Sequence, residues 1–297
     1  MTPSFYHMQA RLNSYAKLNL YLRVINKRKD NFHNIETIFE RISLCDKIII
    51  TPRRDSLIKI ISNSKSVPSD SSNLAYRSAQ LLRREFNINS GVNIRIIKRI
   101  PVGSGMGGGS SNAAYTLIGL NRLWKLKIPT ARLAALAGRI GSDVPFFIYN
   151  QPFAIGRRKG DLVSPIGKVR GINFWHIIVV PKIKVLTPLI YRKLDGFSTL
   201  TRKKRDVKIL CSLIRKNDPN LLADKLINDL EKVTVSIYKQ VNQVKNTLTR
   251  LGLGTILMSG SGPTVFGIVR SRKSAQALYT QLRKINKTWL IFISRTV

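Results

Sequence analysis

A strand, a glycine-rich loop and a helix stand in direct succession from residue 92 to residue 124, and that succession limits the possible folds more than any other stretch. Val92-Asn-Ile-Arg-Ile-Ile97 alternates with β-branched residues and predicts a strand; Ala113 to Trp124 carries apolar residues at helical spacing. Between them runs Pro101-Val102-Gly103-Ser104-Gly105-Met106-Gly107-Gly108-Gly109-Ser110-Ser111-Asn112. Its five glycines in seven positions permit positive φ and leave backbone N–H groups uncovered, and Ser110, Ser111 and Asn112 are residue types that cap a helix start. Amides and a helix N-terminus converging in this way form a cradle for an anion, phosphate above all.

Three nucleotide motifs compete for this loop. Gly103-x-Gly105-x-x-Gly108 matches the dinucleotide fingerprint, but that fold also wants an acidic residue about 20 positions on. No Asp or Glu occurs between Glu85 and Asp143. A Walker A loop would close with Gly-Lys-Ser/Thr, and a protein kinase would carry His-Arg-Asp and Asp-Phe-Gly; neither condition is met.

The string resembles the Pro-x-Gly-x-Gly-Leu-Gly-Gly-Gly-Ser-Ser-Asn-Ala loop of the superfamily named for galactokinase, homoserine kinase, mevalonate kinase and phosphomevalonate kinase, with Met106 in place of the usual Leu. Two further superfamily segments follow the same order, Tyr15-Ala-Lys-Leu-Asn-Leu20 near the start and Ser259-Gly-Ser-Gly-Pro-Thr-Val-Phe266 near the end. Ala-Lys-Leu-Asn-Leu, Phe32-His-Asn-Ile-Glu-Thr37, Gly141-Ser-Asp-Val-Pro-Phe146 and Thr187-Pro188 are similar, more narrowly, to the 4-diphosphocytidyl-2-C-methyl-D-erythritol kinases of the non-mevalonate isoprenoid pathway. Only the first ten or so residues and the basic stretch from Arg202 to Arg205 fall clearly outside the resemblance.

The resemblance implies an α+β, two-domain small-molecule kinase fold: a ribosomal-protein-S5-like ATP domain over residues 1–155, a ferredoxin-like domain over 156–297, and the active site in the cleft. The implied reaction is ATP-dependent phosphorylation of the 2-hydroxyl of 4-diphosphocytidyl-2-C-methyl-D-erythritol, with Mg2+. Another superfamily kinase, of homoserine or mevalonate type, is the alternative. By match, Asp143 is the base toward the acceptor hydroxyl, Lys17 orients that hydroxyl and the transferring group, and Asn19 holds the Asp. Residues 101–111 cradle the phosphates, and Asn73 and Lys98 lie near the adenosine. The turn from Ser259 to Thr264 closes around phosphate. Phe32 and Tyr191 clamp the cytosine, His33 reads its edge through side chain or backbone, and Thr187 belongs to the substrate site. No metal ligand is assigned; Ser110 or Ser111 is the nearest hydroxyl for Mg2+.

Composition bounds the alternatives. At 297 residues with 43% hydrophobic content, the chain suits two domains with real cores. Its longest apolar runs, such as Ile177 to Val180, fall far short of the ~20 residues of a membrane helix. The start lacks a continuous apolar segment, so no secretory signal is expected. With only Cys45 and Cys211, a reducing cytoplasm is expected rather than a disulfide framework, and His7, His33 and His176 have no short metal-ligand spacing. The net charge of +36 points toward nucleic acid, yet Lys and Arg are spread along the chain with no accompanying motif. Abundant Lys, Ile and Asn fit an AT-biased coding sequence, so salt-sensitive sticking to polyanions is expected and a specific nucleic-acid partner is not. A monomer or homodimer is expected.

In order along the chain, Leu12 to Val24 reads as a strand ending in the polar turn Asn26–Asn31, with Lys17 and Asn19 on one face, solvated or functional. Ile35 to Ile50 reads as further strand, Leu74 to Phe86 as a helix capped from Pro68–Ser72, and Pro129 to Ile140 as another helix. Asp143, a helix-end residue or a functional one, precedes an apolar strand. Trp175 to Val180 is a buried strand, Leu186 opens a helix, Pro219 to Leu251 holds helical patterns, and Leu257 onward reads strand, glycine turn, strand, helix, strand.

Overall fold

A computed structural model of the chain describes residues 8–167, 169, 171–196, 207–222 and 225–297. The first seven residues and the basic stretch at Arg202 to Arg205 lie outside them. Two compact units result: one takes the described residues to Ala16, Cys45–Val102 and Gly107–Asn150, the other Lys17–Leu44, Gly103–Met106 and Gln151–Val297. Strands β1 (Ala10–Lys27) and β2 (His33–Arg53) are long enough to contribute to both.

In the first unit, β3 (Ile58–Ser62) runs parallel to β4 (Gly91–Ile97), and β4 runs antiparallel to the Lys47–Arg53 end of β2. Val92, Ile94 and Ile96 are buried while Arg95 is exposed, the period of a strand with one covered face. Four helices complete this unit: α1 (Leu74–Glu85), α2 (Gly108–Leu123), α3 (Thr130–Gly138) and α4 (Val144–Ile148). On α1 the buried residues Ala75, Ser78, Ala79 and Leu82 form one stripe. Helix α2 is buried almost all round, and Gly119 is what lets it approach the sheet, since a Cβ there would lie 2.6 Å from Ile50 Cδ1. The expected apolar strand after Asp143 is instead the short helix α4. Pro145 sits in its first turn, where a missing N–H costs nothing, so the apolar run Val144–Ile148 could close one helical turn.

In the second unit, Tyr21 and Leu22 of β1 pair in parallel with β8 (Ile227–Asn228), and Thr37–Glu40 of β2 pair with β5 (Phe153–Arg157), which forms a hairpin with β6 (Leu162–Pro165). A separate antiparallel sheet has the order β11 (Leu290–Arg295), β7 (Trp175–Val180), β10 (Val265–Val269), β9 (Ile256–Met258). Numbered along the chain these strands lie fourth, first, third, second. With α8 (Lys239–Arg250) between the first two and α9 (Arg272–Ile285) before the last, they make the expected ferredoxin-like unit. Val241, Val244 and Leu248 of α8 and Ala275, Leu278 and Leu282 of α9 share its core with Ile177, Val179 and Val265. The remaining helices are α5 (Thr187–Leu194), α6 (Val207–Arg215) and α7 (Asp229–Ile237).

Two polar devices in this unit have no local sequence signature. His176 Nε2 meets Glu40 Oε1 at 2.8 Å, and Thr296 Oγ1 donates to that oxygen at 2.6 Å, with Glu40 and His176 fully buried. Asn228 caps α7 by accepting from Leu230 N at 3.0 Å, and its Nδ2 donates to Met258 O at 2.8 Å and Gly260 O at 2.7 Å. Asn228→Ala is therefore expected to destabilise the protein by about 2–4 kcal/mol in urea unfolding, because a cap is lost and two buried carbonyls are left unpaired. A change below about 0.5 kcal/mol, typical of an ordinary surface site, would contradict that assignment.

Candidate active site

The glycine loop is turned by alternate residues. Gly103, Gly105 and Gly107 have φ of 70°, 83° and 68°, the left-handed region that a side chain disfavours. Gly107 is the N-cap of α2, so the helix starts at Gly108, and Ser110, Ser111 and Asn112 lie inside it rather than capping it. Left-handed glycine turns the chain into the helix without a capping side chain, which frees those residues for other contacts.

Within the first unit, Ser111 is fully buried with Oγ 2.7 Å from Ser14 Oγ, whereas Ser110 is half-buried. Asn112 Nδ2 donates to Ser14 Oγ at 2.9 Å and to Asp46 Oδ2 at 2.8 Å. Asp46, which sequence reasoning missed, is the organising group: fully buried, it accepts from Arg99 N at 2.7 Å, Ile100 N at 2.9 Å and Lys98 Nζ. These bonds hold the segment entering the loop and fix Lys98, whose Nζ also reaches Asn112 Oδ1 at 3.2 Å. The Lys98 charge is thus compensated by Asp46, leaving backbone amides and the α2 dipole as the cradle's own attraction for an anion. Asn73 caps α1, accepting from Ala75 N at 2.8 Å, and the adjoining Leu74 borders Gly109. The cap is Asn73 itself, not the Pro68–Ser72 stretch before it. Pro101 is half-buried and Val102 exposed at the loop's start. Asp143 is half-buried at the N-cap of α4 and makes no capping bond to it.

The loop tip, 103–106, packs in the second unit. Thr264 N donates to Ser104 O at 3.2 Å, Ser259 Oγ to Gly105 O at 3.3 Å, and Lys17 N to the carbonyl of the buried Met106 at 3.0 Å. A Cβ on Gly105 would stand 2.6 Å from Ser259 O and 2.9 Å from Gly262 O, so backbone meets backbone there. The turn beneath is closed by Ser259 N to Thr264 O at 2.9 Å and Gly262 N to Ser259 O at 3.0 Å. Ser104 Oγ and Thr264 Oγ1 are buried with no hydrogen-bond partner among the described residues. Buried hydroxyls without a protein partner, on two residues joined by a backbone bond, suit a site completed by ligand oxygen or water.

Lys17 and Asn19 do share a face, and it is not solvated: they are 4% and 2% exposed. Lys17 Nζ donates to Asn19 Oδ1 at 2.5 Å, Asn19 Nδ2 donates to Thr37 Oγ1 at 2.8 Å, and Thr37 Oγ1 donates to Tyr21 O at 2.6 Å. Asn19 N bonds Ser259 Oγ at 3.3 Å. A buried ammonium is held only where such groups compensate its desolvation.

The aromatic residues divide into two contacts. His33 and Tyr191 stack with centroids 5.0 Å apart and 27° between planes, while Phe32 stands 54% exposed with Lys159 Nζ 4.8 Å from its ring centroid. Thr187 Oγ1 meets Ser261 Oγ at 2.7 Å, tying the start of α5 to the same turn that underlies the loop tip. His33 Nε2 lies 2.7 Å from Asp195 Oδ1, and Lys27 Nζ donates to Asp195 Oδ2 at 2.7 Å. Those two bonds, Lys27 first, hold the Asp195 carboxyl below its ordinary range. Asp195 is the second residue that sequence reasoning missed. Among the described residues, no three His, Cys, Asp or Glu stand together as a metal cage, and no helix is long and apolar enough to cross a membrane.

Residues 73–151 match the N-terminal domain of the GHMP kinases and residues 203–288 their C-terminal domain. A 4-diphosphocytidyl-2-C-methyl-D-erythritol kinase of Bacillus velezensis is 40% identical over 268 residues, 90% of this chain and 91% of the relative. One of Bacillus subtilis is 40% identical over 270 residues, again 90% and 91%. Among solved structures, a 4-(cytidine 5'-diphospho)-2C-methyl-D-erythritol kinase superposes with a TM-score of 0.77 at 28% identity, covering 97% of this chain and all of that one. A homoserine kinase of Cytophaga hutchinsonii, TM-score 0.73 at 18% identity over 97% of this chain and 94% of its own, shares the fold.

Proposed function

Because this chain belongs to the 4-diphosphocytidyl-2-C-methyl-D-erythritol kinase family of the GHMP kinases, we propose that it transfers the γ-phosphoryl group of ATP to the 2-hydroxyl of 4-diphosphocytidyl-2-C-methyl-D-erythritol. One observation supports the phosphoryl-transfer part: Gly105, at φ 83°, is pinned on the Ser259–Thr264 turn, where the hydroxyls of Ser104 and Thr264 are buried without a hydrogen-bond partner among the described residues. The relatives' shared name supports the substrate. Homoserine and mevalonate kinases resemble this chain at 18% and 13% identity, which speaks for the fold alone.

The reaction needs in-line positioning and charge neutralisation more than covalent chemistry. Asp143 accepts the proton of the 2-hydroxyl as its oxygen bonds to the γ-phosphorus and the bond from phosphorus to the bridging oxygen breaks, releasing ADP. Lys17, steadied by Asn19, directs its ammonium at the transferring group, where charge builds in the transition state. The amides of 103–109 and the α2 N-terminus hold the phosphates, with Asn73 and Lys98 on the adenosine side. Ser110 would stand beside a Mg2+ brought with the nucleotide better than Ser111, which is engaged by Ser14, and the ion would supply neutralisation of phosphate charge. Phe32, His33, Tyr191 and Thr187 form the substrate side. ATP-binding residues to about 155, substrate-domain residues from 156, and a cytoplasmic setting complete the proposal, supported by the two matched domains and by a sequence that holds only two cysteines, Cys45 and Cys211.

Phe32→Ala and Tyr191→Ala are each expected to weaken substrate binding by about 1–3 kcal/mol in calorimetry with ATP affinity nearly unchanged, the usual loss when a base loses a stacking partner. A homoserine or mevalonate kinase has no base to stack, so unchanged substrate affinity in both variants would favour that reading instead.

A further inference from the structure

We propose that Asp195 is a positioning residue of the base site: its carboxylate joins the β1–β2 turn to helix α5 and so fixes the rings of His33 and Tyr191 in the orientation that receives the cytosine. This rests on the cytidine-linked substrate proposed above. Lys27 is the last residue of β1 and His33 the first of β2, and each takes one Asp195 oxygen at 2.7 Å. Asp195 is the C-cap of α5, four residues past Tyr191, whose carbonyl accepts from Asp195 N at 3.3 Å. One carboxylate therefore connects both edges of the aromatic cluster.

Its placement is not explained by the helix. A negative side chain at a helix C-terminus faces the negative end of the dipole and is locally disfavoured, so the compensation comes from the two partners on other elements. Those bonds also depress the carboxyl's proton affinity, which keeps the anion in place through the neutral range. Toward His33 the consequence is specific. The ring is 5% exposed at its side chain and stacks on Tyr191, so rotation of either ring disturbs the other. With Nε2 held by Asp195, Nδ1 is the ring nitrogen left without a hydrogen bond among the described residues. In the neutral imidazole, Nε2–H pointing at the carboxylate makes Nδ1 an acceptor. A prepared ring pair binds a base without first giving up its own rotational freedom, which is how preorganisation raises affinity.

Calorimetric titration with cytidine diphosphate separates the possibilities. Asp195→Ala is expected to weaken cytidine diphosphate by about tenfold or more while ATP affinity stays within about twofold, and long-range proton–nitrogen NMR of the imidazoles should show the His33 Nε2–H signature lost. Asp195→Asn retains an acceptor toward Nε2–H and should recover affinity to within about threefold of wild type. Alanine-variant affinity within twofold of wild type overturns the proposal, as does an asparagine variant as weak as the alanine one. Joint loss of ATP and cytidine diphosphate binding in both variants would mark Asp195 as a fold residue and also overturn it. A wild type that does not bind cytidine diphosphate refutes the cytidine reading itself, and the role of Asp195 with it.

Discussion

Asp143→Asn is expected to lower kcat by roughly 10²–10⁴-fold while affinities for ATP and for the cytidine substrate stay close to wild type. The substitution keeps the shape and removes the negative charge and with it the capacity to take the hydroxyl proton. The fold should tolerate it: Asp143 occupies the N-cap of α4 without bonding to it, asparagine is equally at home there, and α4 is held by Val144, Phe146 and Phe147, all buried. Equal effects on kcat and kcat/KM would identify an interaction made in the transition state, as a base requires. Turnover at the wild-type rate, with the fold intact, would remove Asp143 from the mechanism.

Gly105→Ala is expected to reduce kcat/KM for ATP by at least about 10²-fold, comparable to losing one preorganised donor from a transition-state site. Two costs coincide. A non-glycine residue at φ 83° is strained by about 1–3 kcal/mol, and its Cβ would press on the carbonyl oxygens of Ser259 and Gly262, neither of which is a flexible side-chain end. The loop tip must then leave the turn that supports it. Gly108→Ala is the control. Gly108 lies in the first turn of α2 outside the positive-φ region, and its Cβ would meet side-chain atoms rather than backbone, Lys98 Nζ at 2.9 Å and Ile100 Cγ2 at 3.0 Å. It should be the milder change in steady-state kinetics; the reverse order would contradict the division of the loop into turning and helical glycines.

Much of this was legible before any coordinates. The glycine loop between strand and helix, the strand carrying Lys17 and Asn19, and the closing strand–helix–strand of the second unit all rest on local patterns: glycine density, period-2 alternation, helical spacing. Helix α2 starts three to five residues before the position that Ser110, Ser111 and Asn112 suggest as caps, because Gly107 turns the chain and the side chains of Ser111 and Asn112 bond inward to Ser14 and Asp46. Val144–Ile148 reads equally as a short strand or a helical turn, and only Pro145 in the first turn argues for the latter. Asp46 and Asp195 left no signal at all. Asp46 is one charge inside a long strand, and its partners Lys98 and Asn112 are 52 and 66 residues away. Asp195 meets His33 across 162 residues. Periodicity registers burial, but it does not register which distant polar group a buried carboxylate will find.

The central claim is tested most directly by phosphorus NMR of the reaction itself, with ATP, Mg2+ and 4-diphosphocytidyl-2-C-methyl-D-erythritol as the starting mixture. The prediction is stoichiometric formation of ADP and a new phosphomonoester resonance on the methylerythritol 2-oxygen, with homoserine and mevalonate left unphosphorylated. Phosphorylation of homoserine or mevalonate with the cytidine substrate untouched would contradict it.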